Sequence, residues 1–293
     1  MIIESTALTK RYGRHTALDG VDLSIARGST YGLVGPNGAG KTTLLAILAG
    51  LRRPTGGRLD IDARPGKVAL LPDTPQFENW LTGREVVDLS RNLVAPHLPA
   101  TRVDEVLHEA GLSDAAGRAV GGYSRGMLQR LGIAATVVGE PEVLLLDEPA
   151  SALDPAGRRE VLSLIAGLRG RATVLMSSHI LGDVQEVCDT IGIMRTGRVL
   201  FQGTLQSLLA GRTKPAYLVR LRGDAGPVAE KLRAQTWVTG VDVQPPGQLR
   251  IIVDDLDLAE QHLAGVLANS ALPVISMTPE AADLEAVFLE LTS

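Results

Sequence analysis

The chain has 293 residues, which is too long for one small domain and suggests two at about 150 residues per domain. Its net charge of -4 argues against a nucleic-acid duplex as the main partner, because duplex-binding proteins usually carry a basic surface. The single cysteine, Cys188, excludes an internal disulfide and fits a reducing cytoplasm. No apolar run approaches the roughly 20 residues of a spanning helix, so we expect that another subunit crosses the membrane if this protein acts there.

Up to about residue 211, short apolar strands alternate with helix-patterned segments. Continuous apolar strands of this kind are typically buried on both faces, which predicts a parallel sheet between helices. The segment 73–139 is mostly helical in pattern and predicts a helical subdomain inserted in an α/β domain. The predicted strands are "TYGLV" (30–34), "KVALL" (67–71), "EVLLLDEP" (142–149), "ATVLMSSH" (172–179) and "TIGIMRTGRVLFQG" (190–203).

The stretch "GLVGPNGAGKTTLLAIL" fits a phosphate-binding loop, although an ordinary glycine-rich turn is the alternative. A buried strand precedes the loop and a helix follows it, and the N–H groups and dipole of a helix N-terminus favour anions. We expect the backbone of Gly35, Gly38 and Gly40 to approach the β- and γ-phosphates. Lys41 would reach these phosphates, and the Thr42 hydroxyl would bind Mg²⁺.

Two further strands end in polar residues that suit phosphate chemistry. "VLLLDEP" places Asp147 and Glu148 at a strand end, where an aspartate can hold the Mg²⁺ shell and an adjacent acid can accept a proton from water. His179 follows the strand "TVLMSS", and its imidazole could bind the γ-phosphate or the attacking water. The alternatives are a helix N-cap for the acidic pair and a structural role for the histidine.

The region beyond residue 211 predicts a second domain, 212–293, with a ferredoxin-like α+β arrangement. A last helix would carry an apolar stripe of Leu284, Val287, Phe288 and Leu291 that suits packing. This domain has no metal cluster, nucleophile or glycine loop, so a dimer-stabilising or regulatory module is favoured over a ligand-binding one. The expected elements are strand 216–222, helix 226–235, strands 237–243 and 248–253, helix 257–268, strand 272–277 and the last helix.

The segment "GGYSRGMLQRL" (121–131) resembles the signature of ABC (ATP-binding cassette) transporter subunits, usually written LSGGQ and here "YSRGM". Other motifs of this family follow the same order over roughly residues 1–211, which supports the resemblance. They are Tyr12 in "KRYG" for the adenine, "GPNGAGKTT" with Asn37 and Thr43 as the Walker A loop, "LLLDEP" as Walker B, "SALD" (151–154) as the D-loop, and His179 as the switch histidine.

This resemblance implies a P-loop NTPase that binds ATP and Mg²⁺ and hydrolyses ATP. Two such domains would pair head to tail, so that Ser124 and the N–H of Gly126 cap the ATP held by the other copy. Because this chain carries a complete set of the motifs, two copies of it would suffice to form the paired ATP sites, so a homodimer is expected. A transmembrane permease subunit would be the second partner, which would place this chain in the cytoplasm, peripheral on the inner face of the cell membrane.

The sequence departs from the family pattern at two motifs. Arg125 replaces the first glycine of the signature and Met127 its final glutamine, a form similar to that of bacterial export ATPases. Asp73 in "LLPDTPQF" replaces the glutamine that usually contacts Mg²⁺ and the coupling region, and Gln76 follows three residues later. Asp73 could still bind Mg²⁺ through a water molecule, with a shorter and anionic side chain.

We therefore expect the ATPase subunit of a bacterial-type ABC exporter with a C-terminal accessory domain. Phe77 and Trp80 would form the coupling surface for the membrane subunit, or else pack locally in the core. The alternative function is a soluble ABC-type ATPase that remodels nucleic acid or ribosomes. Such proteins usually fuse two cassettes or insert a long coiled coil, and this chain shows one cassette and neither insertion.

Overall fold

A computed structural model describes residues 1–209, 215–244, 246–270 and 272–280 of the chain. The chain divides into two units, Met1–Leu205 and a second that begins at Gln206. The domain boundary predicted at 211/212 lies outside the described residues.

The first unit contains nine strands and six α-helices, counted over its described residues. The strands are β1 (Ile3–Tyr12), β2 (His15–Ile25), β3 (Thr30–Val34), β4 (Gly56–Ile61), β5 (Val68–Leu71), β6 (Val143–Leu146), β7 (Thr173–Ser178), β8 (Thr190–Arg195) and β9 (Arg198–Gly203). The helices are α1 (Lys41–Leu48), α2 (Gly83–Val94), α3 (Thr101–Glu109), α4 (Arg125–Val137), α5 (Pro155–Ala166) and α6 (Leu181–Val187). A short helix α7 (Leu205–Leu209) follows.

A six-stranded sheet in the order β5-β6-β7-β3-β8-β9 forms the centre of this unit. The first five strands run parallel, and every residue of β3, β6 and β7 is buried. The predicted parallel sheet is therefore confirmed. The carboxyl ends of parallel strands meet at one edge, and this edge carries the polar residues that follow β3, β5, β6 and β7.

A separate three-stranded antiparallel sheet, ordered β2-β1-β4, was missed by the sequence analysis. β1 and β2 are bent by register shifts, which interrupts the alternation that would have marked them as strands. Their buried residues, among them Leu8 and Leu18, share one core with Tyr31, Leu33 and Leu44. The second sheet thereby packs on the same core as the strand and the helix that flank the phosphate loop.

The segment 190–203, predicted as one strand, is an antiparallel hairpin of β8 and β9. The prediction of a single strand is wrong because Thr196 and Gly197, with φ of 45° and 79°, form a tight turn between the two strands. Two consecutive residues of positive φ match the twist that a short hairpin requires.

The segment 73–139, predicted as a helical subdomain, carries α2, α3 and α4 and no strand. A capping box begins α2, where the Thr82 side chain accepts from the Glu85 N–H and the Glu85 side chain accepts from the Thr82 N–H. Ser124 caps α4 by accepting from the Met127 N–H.

The second unit has the predicted ferredoxin-like arrangement, with four antiparallel strands in the order β11-β12-β10-β13. Its core joins both helices to the sheet, and includes Val219, Leu232, Trp237, Ile251 and Leu263. The predicted last helix and its apolar stripe lie outside the described residues. The elements of this unit are β10 (Ala216–Leu221), α8 (Gly226–Arg233), β11 (Val238–Gln244), β12 (Gln248–Val253), α9 (Leu256–Ala268) and β13 (Val274–Glu280).

Within the described ranges, no helix combines the length and the apolar character needed to cross a bilayer.

Candidate nucleotide-binding site

The glycine loop between β3 and α1 has the backbone of a phosphate cradle. Gly38 and Gly40 have φ of 81° and 105°, and Gly40 is the N-cap of α1. A Cβ at Gly40 would lie 2.5 Å from the Ala17 carbonyl oxygen, and one at Gly35 would lie 2.2 Å from the Met194 carbonyl oxygen. Both positions therefore exclude side chains. The Gly35 N–H already donates to the Ser178 carbonyl oxygen (3.2 Å), so an anion at the helix N-terminus would meet the N–H groups of Gly38 and Gly40.

Lys41, the first residue of α1, is buried with only 6% of its surface exposed. Its Nζ donates to the carbonyl oxygens of Gly35 (2.7 Å) and Pro36 (3.3 Å). The same atom lies 3.1 Å from Oε1 of Glu148. The loop thus folds around one ammonium group that also contacts the acidic residue after β6.

Glu148 is held at the end of β6 in a left-handed backbone conformation, with φ of 47°. Its N–H donates to Oγ of Ser177 (2.9 Å). Its Oε2 lies 2.7 Å from Nδ1 of His179 and accepts from the His179 N–H (3.3 Å). A carboxylate only accepts hydrogen bonds, so Nδ1 of His179 carries the proton and Nε2 remains available to a ligand.

Oε1 of Glu148 has no hydrogen-bond partner among the described residues, although the Lys41 ammonium lies nearby. A strained backbone and a buried acceptor atom without a hydrogen bond are typical of functional positions. Glu148 is not a helix N-cap, the alternative left open by the sequence, because the next helix is α5, whose N-cap is Asp154.

Asp147 is 4% exposed, and its Oδ1 accepts from Oγ of Ser177 (2.6 Å). Ser177 itself is fully buried in β7 and contacts both members of the acidic pair, since it also accepts from the Glu148 N–H. The sequence analysis missed Ser177, which looks like any small residue at the end of an apolar strand. The parallel pairing of β6 with β7 brings it beside the acids.

A cavity of about 480 Å³, which we call the phosphate cavity, is lined by most of the residues predicted to bind the phosphates and the metal. Asp73 reaches it from the loop after β5, and its Oδ1 also accepts from Oγ of Ser151 (2.7 Å). Asp147 is not among the lining residues. The cavity is lined by His15, Ala17, Asn37, Gly38, Ala39, Gly40, Lys41, Thr42, Thr43, Asp73 and Glu148.

His15 is a second residue that the sequence analysis missed, since it was assigned to the surface or to packing. It pairs with Tyr12 across the β1–β2 hairpin and lines the cavity. Tyr12 does not line the cavity itself. Its ring is 42% exposed, with the Lys10 ammonium 5.0 Å from the ring centroid.

Ser124 and Gly126 are not brought to the phosphate cavity of their own chain. Ser124 caps α4 at an exposed helix N-terminus. Gly126 lies against Gly157 of α5, whose Cα would be 3.8 Å from a Cβ at position 126. A role for these two residues at a nucleotide therefore requires a second copy of the domain.

Comparison with known proteins places this geometry in a family. The family model described as ABC transporter matches residues 18–151, from β2 to the D-loop. YxlF of Bacillus subtilis, an uncharacterized ABC transporter ATP-binding protein, is 33% identical over 297 residues, which cover 97% of each chain. The chain belongs to the ABC transporter ATP-binding proteins.

Other ABC transporter ATP-binding proteins match along nearly the whole chain. The daunorubicin resistance ATP-binding protein DrrA3 of Streptomyces coeruleorubidus is 35% identical over 300 residues, covering 97% of this chain and 93% of DrrA3. The bacitracin transport ATP-binding protein BcrA of Bacillus licheniformis is 31% identical over 302 residues, covering 99% of this chain and 97% of BcrA. These matches extend into the second unit, so its presence is shared with these relatives.

Solved structures of ABC cassettes match the first unit. A structure described as an ATP-binding subunit of an ABC transporter matches with a TM-score of 0.64 and 28% identity, over 72% of this chain and 92% of that one. A dimeric bacterial ABC transporter cassette matches with a TM-score of 0.63 and 26% identity, over 69% of this chain and 98% of that cassette. The chain is thus an ABC ATPase that binds and hydrolyses ATP, and these relatives lend no support to remodelling of nucleic acid or ribosomes.

Proposed function

We propose that this chain works as a homodimer that powers export through a separate transmembrane subunit, with Glu148 as the catalytic base. The observation that carries the proposal is the position of the Glu148 carboxylate, 3.1 Å from Nζ of Lys41 and 2.7 Å from Nδ1 of His179. The side chain that would hold the phosphates and the group that would accept a proton therefore lie in direct contact.

The loop residues that line the cavity would bind the triphosphate of ATP. Backbone N–H groups of Gly38 and Gly40 would approach the β- and γ-phosphates, with Lys41 as their cation, whereas the predicted role of the Gly35 N–H is not supported because it donates to the Ser178 carbonyl oxygen. Asn37, Thr42 and Thr43 add polar groups at the same loop. Tyr12 would stack on the adenine, because its exposed ring lies opposite His15, which lines the cavity.

The oxygen donors at the site suit Mg²⁺. Thr42 and Asp73 line the cavity, and Asp147 adds a buried carboxylate beside Glu148. Among the described residues, no cluster of three acidic, histidine or cysteine side chains forms a metal cage. That arrangement fits an ion bound by one or two protein groups together with nucleotide phosphates. When bound, Mg²⁺ would neutralise charge that develops on the phosphates.

Hydrolysis requires a water molecule whose proton is removed as its oxygen attacks. The oxygen bonds to the γ-phosphorus, the bond from that phosphorus to the β–γ bridging oxygen breaks, and the water proton passes to Glu148. His179 would orient Glu148 through Nδ1 and leave Nε2 for the water or the γ-phosphate. The products are ADP and inorganic phosphate.

A second copy of the chain would complete the site. The N-terminus of α4 carries Ser124 and Gly126 but does not face its own phosphate cavity. A helix N-terminus favours anions, so head-to-tail pairing would place it on the γ-phosphate held by the partner copy. ATP would then hold two copies together, and hydrolysis would release them.

The surface for the membrane subunit would lie beside the loop that carries Asp73. An apolar groove of about 380 Å³ is lined by Phe77, Leu71, Pro75, Leu93 and Val94, among other residues. Trp80 is 72% exposed, so it does not pack in the core as the alternative interpretation required. An apolar helix segment of the permease on the cytoplasmic side is the occupant that fits this groove, and it would hold the chain at the inner face of the membrane.

The experiment that tests this proposal is the mass in solution of the purified Glu148→Gln protein. With Mg-ATP we expect twice the monomer mass of 30.9 kDa, and without nucleotide the monomer. Lys41→Ala, which should not hold the phosphates, is the matched control and should stay monomeric. A Glu148→Gln protein that stays monomeric while it binds Mg-ATP would contradict the paired site.

A further inference from the structure

A second cavity, of about 320 Å³, shares Asp73 with the phosphate cavity. It lies between the loop after β5, the first turns of α4 and the D-loop, and we call it the signature cavity. Its lining residues are Asp73, Thr74, Pro75, Arg125, Leu128, Gln129, Ser151, Ala152 and Leu153.

One face of α4 is directed to this cavity. Arg125, Leu128, Gln129 and Gly132 follow the i, i+3, i+4, i+7 spacing of a single helix face. A Cβ at Gly132 would lie 3.3 Å from Cβ and Cγ of Pro75, so the helix packs closely on the loop that carries Asp73. This packing holds the backbone of α4 against the loop that carries Asp73.

The two charged residues of the cavity have opposite signs, and neither forms an ion pair within the described part of the chain. Asp73 accepts one hydrogen bond, from the neutral Ser151 hydroxyl. Arg125 has no hydrogen bond or ion pair with any described residue. Gln129 is 6% exposed, and its Nε2 also lacks a partner there. The side chains of Arg125 and Gln129, two hydrogen-bond donors on one face of α4, thus line the same cavity as the Asp73 carboxylate. Only one oxygen of that carboxylate accepts a hydrogen bond from a described residue.

The phosphate cavity is lined by two carboxylates and one lysine. Its one lysine already contacts Glu148, so Asp73 adds a second carboxylate, with no cationic side chain paired to it in the described part of the chain, where Mg²⁺ and the negatively charged nucleotide phosphates would bind. Like charges in one cavity repel each other and disfavour binding of the phosphates. We propose that Arg125 is a positioning residue that offsets the charge of Asp73 across the signature cavity and so permits tight binding of Mg-ATP. This inference rests on the proposed nucleotide site.

The test is a cycle of four proteins: the wild type, Arg125→Gln, Asp73→Asn and the double variant. The readout is the Kd of a fluorescent ATP analogue with Mg²⁺, without turnover. We expect Arg125→Gln to raise Kd about threefold to tenfold in the wild-type background, and less than about twofold when Asp73 is already neutral. Both residues are exposed, so we expect the effect of Arg125→Gln to shrink at high salt.

Two control variants separate charge from structure. Arg125→Lys should keep the wild-type Kd because it retains the positive charge, and Arg52→Gln removes an exposed arginine elsewhere and should have no effect. An equal rise in Kd in both backgrounds would overturn the proposal and assign Arg125 to the phosphates of a paired copy. No rise in either background would overturn it as well. Failure of the proposed function would instead show as a wild-type protein that does not bind the analogue.

Discussion

Nδ1 of His179 lies 2.7 Å from Oε2 of Glu148, and the two residues follow the ends of neighbouring parallel strands, β7 and β6. The contact depends on the register of that strand pair, so the sheet itself brings the orienting group to the carboxylate. Ser177 strengthens the same junction because it accepts from the Glu148 N–H and donates to Asp147. The base that we propose, held in this way, would require little reorganisation when a phosphate binds.

Replacement of Glu148 by glutamine should keep nucleotide binding and abolish most hydrolysis. The amide retains the shape of the side chain but cannot accept a proton, so kcat should fall by about two to four decades. Steady-state phosphate release measures this fall, and Glu78→Gln, an exposed acid in the same domain, should leave kcat unchanged. A Glu148→Gln protein with wild-type turnover would move the base to another residue, with Asp73 and His179 tested next.

Replacement of His179 by alanine should lower kcat without a large change in the Kd for ATP. Glu148 would keep its contact with Lys41 but lose the ring that orients it, and misplacement of a catalytic group by about 1 Å can cost roughly 10²-fold in rate. Turnover and equilibrium binding measured on one preparation separate the two effects. His262→Ala, an exposed histidine of the second unit, is the control.

Replacement of Ser177 by alanine should destabilise the first unit. The change removes a fully buried hydroxyl and leaves the Asp147 carboxylate and the Glu148 N–H without that partner. Loss of a buried partner costs about 1–3 kcal/mol in free energy of unfolding. Urea titration measures the loss, and Ser163→Ala, at an exposed position on α5, should change stability little.

Joint replacement of Phe77 and Trp80 by alanine should uncouple transport from hydrolysis. Neither side chain lines the phosphate cavity, so basal ATPase activity should remain, while the apolar contact with the membrane subunit is lost. Transport and ATPase rates in membranes that contain both subunits test this. Leu51→Ala, at another exposed apolar position, is the control, and unchanged transport in the double variant would contradict the assignment.

Glu142 should make stability depend on pH. Hydrogen bonds from Arg64 and Arg27 lower the pKa of its carboxyl group below the ordinary value. A lowered folded pKa contributes stability above the unfolded pKa of about 4.3, and this contribution is lost as the pH falls through the folded pKa. Glu142→Gln should therefore lower Tm relative to the wild type near pH 7, and the difference should shrink as the pH falls below the unfolded pKa.

The main sheet, the helical subdomain and the phosphate loop could be predicted because each rests on local signals. Short stretches of sequence are enough to indicate the apolar strands, the loop glycines and the helix that begins at Lys41. The described strands and helices of the second unit were predictable in the same way, from short stretches of sequence. The β8–β9 hairpin was not predicted, because its turn depends on a positive φ at Thr196, and threonine rarely adopts a positive φ.

The residues that sequence alone did not find are those that the tertiary structure brings to the site. His15 lines the phosphate cavity because β1 and β2 form a sheet that was itself missed. Ser177 reaches the acidic pair only through the pairing of β6 with β7. Arg125 and Asp73 are 52 positions apart in the sequence, and only the packing of α4 on Pro75 places them around one cavity.

The most direct test of the central claim is to capture tagged Glu148→Gln protein from host membranes with Mg-ATP and identify bound proteins by mass spectrometry. The account predicts a polytopic membrane protein in stoichiometric amount, retained with Mg-ATP and lost with the Phe77 and Trp80 double replacement. Recovery of ribosomal or DNA-associated proteins, with no membrane protein, would contradict it.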